Sequence, residues 1–162
     1  DLHLKLDAQI GEVIHKLQQD NLLEDTFIFY FSDHGGALPY SKGFANETGL
    51  KVPLVVRIPE NFRHLMGEGF DRKIQVEGVV SFLDLPPTLL KLAGLPEYEQ
   101  HDGKALFGPN IDLQQLNTRD TVLGFADRFG EKLDLVRTIR VGKYKYVRNF
   151  LPFIPSSLYQ NW

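Results

Sequence analysis

Residues Thr26-Phe-Ile-Phe-Tyr-Phe-Ser-Asp-His34, followed by Gly35 and Gly36, are the stretch that decides the fold of this chain. A run this apolar predicts a strand buried on both faces of a sheet. In open α/β sheets, ligands bind at the carboxyl ends of the strands. Asp33 and His34 therefore stand where a site is expected, and a carboxylate beside an imidazole is half of a divalent-metal site. Nothing else in the chain offers an obvious nucleophile or enough further ligands.

Asp33 and His34 have two interpretations. Their side chains could simply cap the next turn, or they could belong to a functional site. The second interpretation is favoured because residues 35–49 are predicted to form a long loop, and long loops in compact domains are often functional. Lys42 in this loop is either solvated surface or an ammonium that contacts oxyanion charge beside a metal. Glu47, Lys51 and Arg57 admit a similar functional interpretation, but for each of them a salt-bridged structural role is preferred.

Helical and strand patterns surround this stretch. Apolar residues at helical spacing predict a first helix that ends near Asp20. Capping and stop signals predict a further helix between Asp84 and Gly94. Strands are predicted at 52–58, 75–80, 121–126, 135–141 and 143–149, the last two joined by a turn at Gly142. The fold class is therefore α/β, with an antiparallel subdomain near the carboxyl end.

Composition excludes several classes of protein. The 162 residues carry a net charge of −3, which gives no general attraction to nucleic acid or to an anionic membrane. No apolar run is long enough to span a bilayer. The absence of cysteine excludes disulfides, thiolate ligands and a cysteine nucleophile within these residues. The chain opens inside a helix without a starting Met, so we expect it to be the carboxyl part of a longer protein and to need the missing amino-terminal part as its partner.

A basic and aromatic segment near the carboxyl end leaves two alternatives open. It is either one solvated face of a hairpin or the lining of a groove for an anionic polymer. Its cations are Arg137, Arg140, Lys143, Lys145 and Arg148, and its aromatic residues are Tyr144, Tyr146 and Phe150.

Four stretches in this order resemble the carboxyl-terminal part of the sulfatase family, in the alkaline-phosphatase-like superfamily. Residues 23–35 look like the family strand that ends in Ser-Asp-His-Gly, and residues 42–53 keep the family spacing from a Lys through Glu-x-Gly to a Pro. Residues 80–94 are similar to the helix that closes the large domain. Residues 137–149 are similar to strands of the small terminal subdomain.

The resemblance implies part of an alkaline-phosphatase-like sandwich with a mostly parallel sheet in residues 1–104, followed by a small antiparallel α+β subdomain in residues 105–162. It also implies a sulfuric ester hydrolase with a divalent cation, usually Ca²⁺. Asp33 and His34 match the family's later pair of metal ligands, and Lys42 matches a Lys that contacts the sulfate ester. The family's members are often exported to the periplasm or lysosome. The family nucleophile is a formylglycine made from the Cys or Ser of a Cys/Ser-x-Pro-x-Arg motif.

This chain departs from the family because it has no such motif. We therefore expect the chain alone to be inactive and the rest of the protein to supply the nucleophile. Two alternatives stay open: a phosphatase or phosphonate monoester hydrolase of the same superfamily, with Mn²⁺ or Zn²⁺, and a non-catalytic domain that binds sulfated glycan. Truncation of the large domain would expose apolar surface, so oligomerisation is also expected.

Overall fold

A computed structural model describes residues 1–67, 70, 73–129 and 132–154. Its helices are α1 (Leu2–Gln19), α2 (Glu47–Leu50) and α3 (Leu85–Leu92), and its strands are β1 (Ile28–Phe31), β2 (Leu54–Arg57), β3 (Thr121–Phe129), β4 (Lys132–Val141) and β5 (Tyr144–Asn149). Short 3₁₀ turns lie at Leu23–Asp25, Glu60–Leu65, Phe82–Asp84 and Leu113–Thr118. The α/β class and the predicted helices are confirmed.

The first helix is held by a simple cap. The Asp1 carboxylate accepts a hydrogen bond from the His3 amide at 3.0 Å, and Asp20 ends the helix. None of the residues of α1 is buried against the described part of the chain. Among the described residues, no helix combines the length and the apolar character needed to cross a membrane.

Strands β1 and β2 pair antiparallel, with Ile28 opposite Arg57 and Phe31 opposite Leu54. The prediction of a mostly parallel sheet is therefore not met by this pair. The expectation that β1 is buried on both faces is also wrong for these residues, because Tyr30 is 39% and Phe31 43% exposed. Exposure increases along the strand rather than across its faces. Ile28 and Phe29 are half-buried, and Phe29 stacks on Phe107 with ring centroids 6.0 Å apart.

The core gathers side chains that are distant in sequence. Met66 packs with four buried side chains from residues 106–116, namely Leu106, Phe107, Leu113 and Leu116. Side chains from β1 and β2 pack against this cluster. Residues 105–116 therefore belong to the core of the first sheet as well, and the domain boundary between 104 and 105 stays a prediction.

The predicted strand at 75–80 is wrong. These residues lie in irregular structure, next to the distant 3₁₀ turn Leu113–Thr118. The Glu77 amide donates to the Asn117 side chain at 2.9 Å, and the Val79 amide donates to the Arg119 carbonyl at 2.8 Å. These two backbone amides are thus satisfied without a strand ladder.

The carboxyl-terminal sheet has the order β3-β4-β5 and is antiparallel throughout. Gly142 makes the turn between β4 and β5 at a φ of 55°, as its position predicted. One face of the sheet meets α2, where Gly124 and Thr138 lie beside Leu50. The antiparallel subdomain is confirmed for the described strands, whereas residues 155–162 of the predicted subdomain lie outside the described residues.

Candidate metal centre

The structure brings the predicted pair together directly after β1. The Asp33 carboxylate accepts a hydrogen bond from the His34 amide at 3.0 Å, and its other oxygen lies 3.2 Å from His34 Nε2. The Asp33 side chain is 80% exposed and that of His34 is 39% exposed. Both residues line a broad cleft that β2 and residues 73–80 also border. The pair is therefore accessible to a ligand from solvent.

The two ring nitrogens of His34 face two hydrogen-bond acceptors. Nδ1 lies 2.8 Å from the Gly35 carbonyl oxygen, and Nε2 faces the Asp33 carboxylate. A neutral imidazole has one N–H, so it satisfies one of these acceptors and turns a lone pair toward the other. If Nδ1–H donates to Gly35, then Nε2 and the Asp33 oxygen present converging lone pairs. A cation that both atoms bind is compatible with this arrangement of lone pairs.

The glycine loop after the pair is tied to α2 and to Lys42. The Gly35 amide donates to the Gly49 carbonyl at 3.0 Å, and the Lys42 amide donates to the Gly36 carbonyl at 3.1 Å. Ser41, which is buried, donates its hydroxyl hydrogen to the Thr48 carbonyl at 2.7 Å. The backbone of Lys42 is thereby attached to the turn that carries Asp33 and His34.

The described residues do not supply a complete metal site. No group of three or more His, Asp or Glu side chains with the geometry to hold a metal occurs among them. Asp33 and His34 are a pair without a third such side chain in this part of the chain. A full coordination shell for a divalent cation needs further oxygen ligands or waters.

The basic segment of the carboxyl end does not form one groove. Successive strand residues point to opposite faces, and the register places Arg137 opposite Arg148 but Arg140 opposite Lys145. Arg137 pairs with Asp127, and Arg140 and Lys145 both contact Glu47 of α2. The alternation therefore divides the cations between two faces.

The side-chain partners of Glu47 lie far from it in sequence. Its interpretation as a salt-bridged residue is confirmed, and so is that of Arg57, which pairs with Glu24 at 2.8 Å. The partners of Glu47 are 93 and 98 residues away, and no local signal identifies them. Its spacing within the Lys42 to Pro53 stretch was the one available indication that it belongs near the site.

The described fold is α/β, with an acid–imidazole pair at the end of a strand and an antiparallel sheet nearer the carboxyl end. The family model for Sulfatase matches residues 1–95, which is more than half of the chain. The chain belongs to the sulfatase family.

Individual relatives agree with this assignment. An ulvan-active sulfatase of Formosa agariphila is 35% identical over 148 residues, covering 91% of this chain and 23% of that protein. Arylsulfatase K of Homo sapiens is 36% identical over 104 residues, covering 62% of this chain and 18% of that protein. The chain thus spans less than a quarter of the length of these curated relatives.

A solved structure shares the fold. The structure of BT4656 in complex with its substrate D-glucosamine-2-N,6-O-disulfate superposes with a TM-score of 0.68. The superposition covers 89% of this chain and 29% of that one, at 21% sequence identity. At 21% identity this similarity is evidence for the fold alone.

Proposed function

We propose that this chain supplies part of the divalent-metal site of a sulfuric ester hydrolase. Asp33 and His34 are the metal ligands, and the Lys42 ammonium contacts the sulfate oxygens. The observation that carries the proposal is the 3.2 Å approach of His34 Nε2 to the Asp33 carboxylate at the end of β1, facing a cleft.

The distance between the two atoms fits two ligands on one cation. Ligand atoms at about 2.3 Å from a cation, and at right angles to each other, are roughly 3.2 Å apart. The hydrogen bond from Nδ1 to the Gly35 carbonyl would orient the ring, as second partners of metal-bound histidines commonly do. Ca²⁺ is the expected ion from the family resemblance. Of the ions of the phosphatase alternative, Zn²⁺ would suit the imidazole nitrogen better and Mn²⁺ the carboxylate.

The proposed role of the site is to stabilise negative charge on the sulfate oxygens. When bound, the cation neutralises developing negative charge on the sulfate oxygens. Lys42, attached through its backbone to the Gly36 carbonyl, adds a second positive charge on a flexible stem. The exposed carboxylate of Asp33 keeps the metal position open to substrate.

The rest of the activity belongs to a longer protein. The chain lacks cysteine and has no Ser-x-Pro-x-Arg sequence, so the nucleophile and the remaining ligands would come from the other part of the same protein. We propose a sulfated carbohydrate as the substrate class, since one relative is named for ulvan and the solved structure holds a glucosamine disulfate. Export of the protein is proposed from the family resemblance.

Metal binding by Asp33 variants of the whole protein that carries this chain tests the proposal. Asp33→Ala should weaken Ca²⁺ binding by more than about 100-fold, because loss of even an outer partner of a metal ligand costs roughly 10–100-fold. Asp7→Ala, which removes an exposed carboxylate of α1, is the matched control and should bind as wild type. Calorimetric titration of chelator-treated protein gives the affinity. Equal affinities for the Asp33 and Asp7 variants would refute the assignment.

A Lys42 variant tests the proposed sulfate contact independently of the metal ligands. Lys42→Ala should retain Ca²⁺ affinity but lose at least about tenfold in kcat/KM toward an aryl sulfate, because one oxyanion contact is missing. Lys5→Ala on α1 is the control. A Lys42→Ala enzyme as active as the Lys5→Ala enzyme would exclude the sulfate-contacting role.

A further inference from the structure

Glu47 connects α2 to the carboxyl-terminal sheet through two cations. Its Oε1 lies 2.6 Å from Arg140 Nη1, and its Oε2 lies 3.5 Å from Lys145 Nζ. Arg140 and Lys145 are opposite each other in the β4–β5 ladder, and both side chains are partly shielded from solvent, at 32% and 20% exposure. The Arg140 Nε–H also donates to the Gly142 carbonyl at 2.9 Å, so the guanidinium is held in place by the hairpin turn.

Close packing accompanies this ion pair. A Cβ atom on Gly124 of β3 would lie 2.7 Å from a methyl carbon of Leu50 and 2.8 Å from the Thr138 hydroxyl oxygen. Leu50 of α2 therefore sits directly on the face of the sheet where β3 lacks a side chain. The sheet and α2 are in contact through both charge and packing.

The same short helix holds the turn that carries the proposed metal ligands. The Gly49 carbonyl of α2 accepts the Gly35 amide hydrogen at 3.0 Å, one residue after His34. A Cβ on Gly35 would lie 1.8 Å from the Thr48 carbonyl oxygen, so the glycine loop and α2 are in tight contact. A displacement of α2 would therefore be transmitted to His34 through its neighbouring backbone.

We propose that Glu47 is a positioning residue through which the carboxyl-terminal sheet fixes the Asp33–His34 pair. Glu47 touches neither member of the pair in this proposal. It anchors α2 to Arg140 and Lys145, and α2 holds the backbone of the pair through Gly35. The inference rests on the proposed function for the metal role, but its structural part does not depend on which metal binds.

Hydrogen exchange of the metal-free whole protein tests the structural part. Glu47→Gln should raise the exchange rate of peptides covering residues 33–42 by about threefold, the size expected for a partly exposed charge pair. Glu97→Gln is the matched control, because Glu97 pairs with Lys91 at 3.0 Å on a different surface. Arg140→Gln should reproduce the effect, and the double variant should exceed the larger single effect only slightly, since the residues act as a unit.

Metal affinity provides the second readout. Glu47→Gln should raise the Ca²⁺ dissociation constant by about threefold to tenfold at a temperature well below the unfolding transition, and Glu97→Gln should leave it unchanged. A Glu47→Gln protein with a lower melting temperature but wild-type exchange at 33–42 and wild-type affinity would overturn the inference, because Glu47 would then be merely structural.

The two proposals fail in different ways. If Asp33→Ala leaves Ca²⁺ binding intact, the metal assignment is wrong, and the exchange experiment still decides whether Glu47 orders the turn. If Asp33→Ala abolishes binding and Glu47→Gln changes neither exchange nor affinity, the metal assignment stands and the positioning role is refuted.

Discussion

Gly35 is required where it stands because two backbone segments meet there. A side chain at this position would overlap the Thr48 carbonyl oxygen, at 1.8 Å, and the Ser41 hydroxyl, at 2.5 Å. Backbone cannot yield as a flexible side chain does, so the loop or α2 would have to move. Gly11, in the middle of α1, has nothing within 4 Å of the corresponding position.

Alanine at these two glycines should therefore have opposite effects on stability. We expect Gly35→Ala to lower the free energy of unfolding by about 1–3 kcal/mol through overpacking. Gly11→Ala should raise it by about 0.5–1 kcal/mol, because alanine restricts the unfolded chain and favours the helix. Urea denaturation of the 162-residue chain measures both values. A Gly35→Ala chain as stable as Gly11→Ala would contradict the close approach.

Asp84 begins α3 as the capping signal predicted, but its carboxylate binds groups outside the helix. Asp84 occupies the cap position, but its carboxylate makes no capping hydrogen bond to α3. One oxygen accepts from the Ser81 amide at 2.9 Å and lies 3.1 Å from the Arg119 guanidinium, and the other accepts from the Lys104 amide at 2.9 Å. Asp84, 7% exposed, therefore joins three separate segments at the beginning of the helix.

Removal of this carboxylate should cost more than removal of an ordinary cap. Asp84→Ala leaves two amides and a partly buried guanidinium without their acceptor, and we expect a loss of about 3 kcal/mol. Asp112→Ala removes the exposed cap of the turn Leu113–Thr118 and should cost about 1 kcal/mol. Unfolding free energies from urea titration compare the two chains. Equal losses would show that Asp84 is only a cap.

Several large apolar side chains of the described residues are exposed. Leu2 is 84% and Leu4 70% exposed on α1, and Leu123 and Phe125 of β3 are 75% and 70% exposed. Monomeric soluble proteins rarely show contiguous apolar patches of large area. The expected oligomerisation of the isolated chain, and its expected contact with a missing amino-terminal part, stay predictions.

The isolated 162-residue chain should not hydrolyse sulfate esters. It contains no cysteine and no serine in the family's nucleophile motif, so the attacking group is missing even where Asp33 and His34 are present. The measurement is the rate of 4-nitrophenol release from 4-nitrophenyl sulfate. The rate for the purified chain is compared with the rate for the whole protein. Turnover by the chain alone that disappears in Asp33→Ala would refute this expectation.

Local patterns in the sequence determined most of the elements and the candidate pair. Helical spacing predicted α1, the apolar run predicted β1, and Gly142 predicted the hairpin, because each depends on residues close together in the chain. Asp33 and His34 are neighbours, so their meeting required no tertiary information.

Contacts between segments that are distant in the chain could not be predicted from the sequence and are known from the folded structure alone. The antiparallel pairing of β1 with β2, the entry of Leu106 and Phe107 into the first core, and the partners of Glu47 all depend on how the chain returns on itself. Periodicity tells which face of an element is apolar, but not which other element covers that face. That choice is made by packing and charge pairing summed over the folded chain, and it has no local signature in the residues involved.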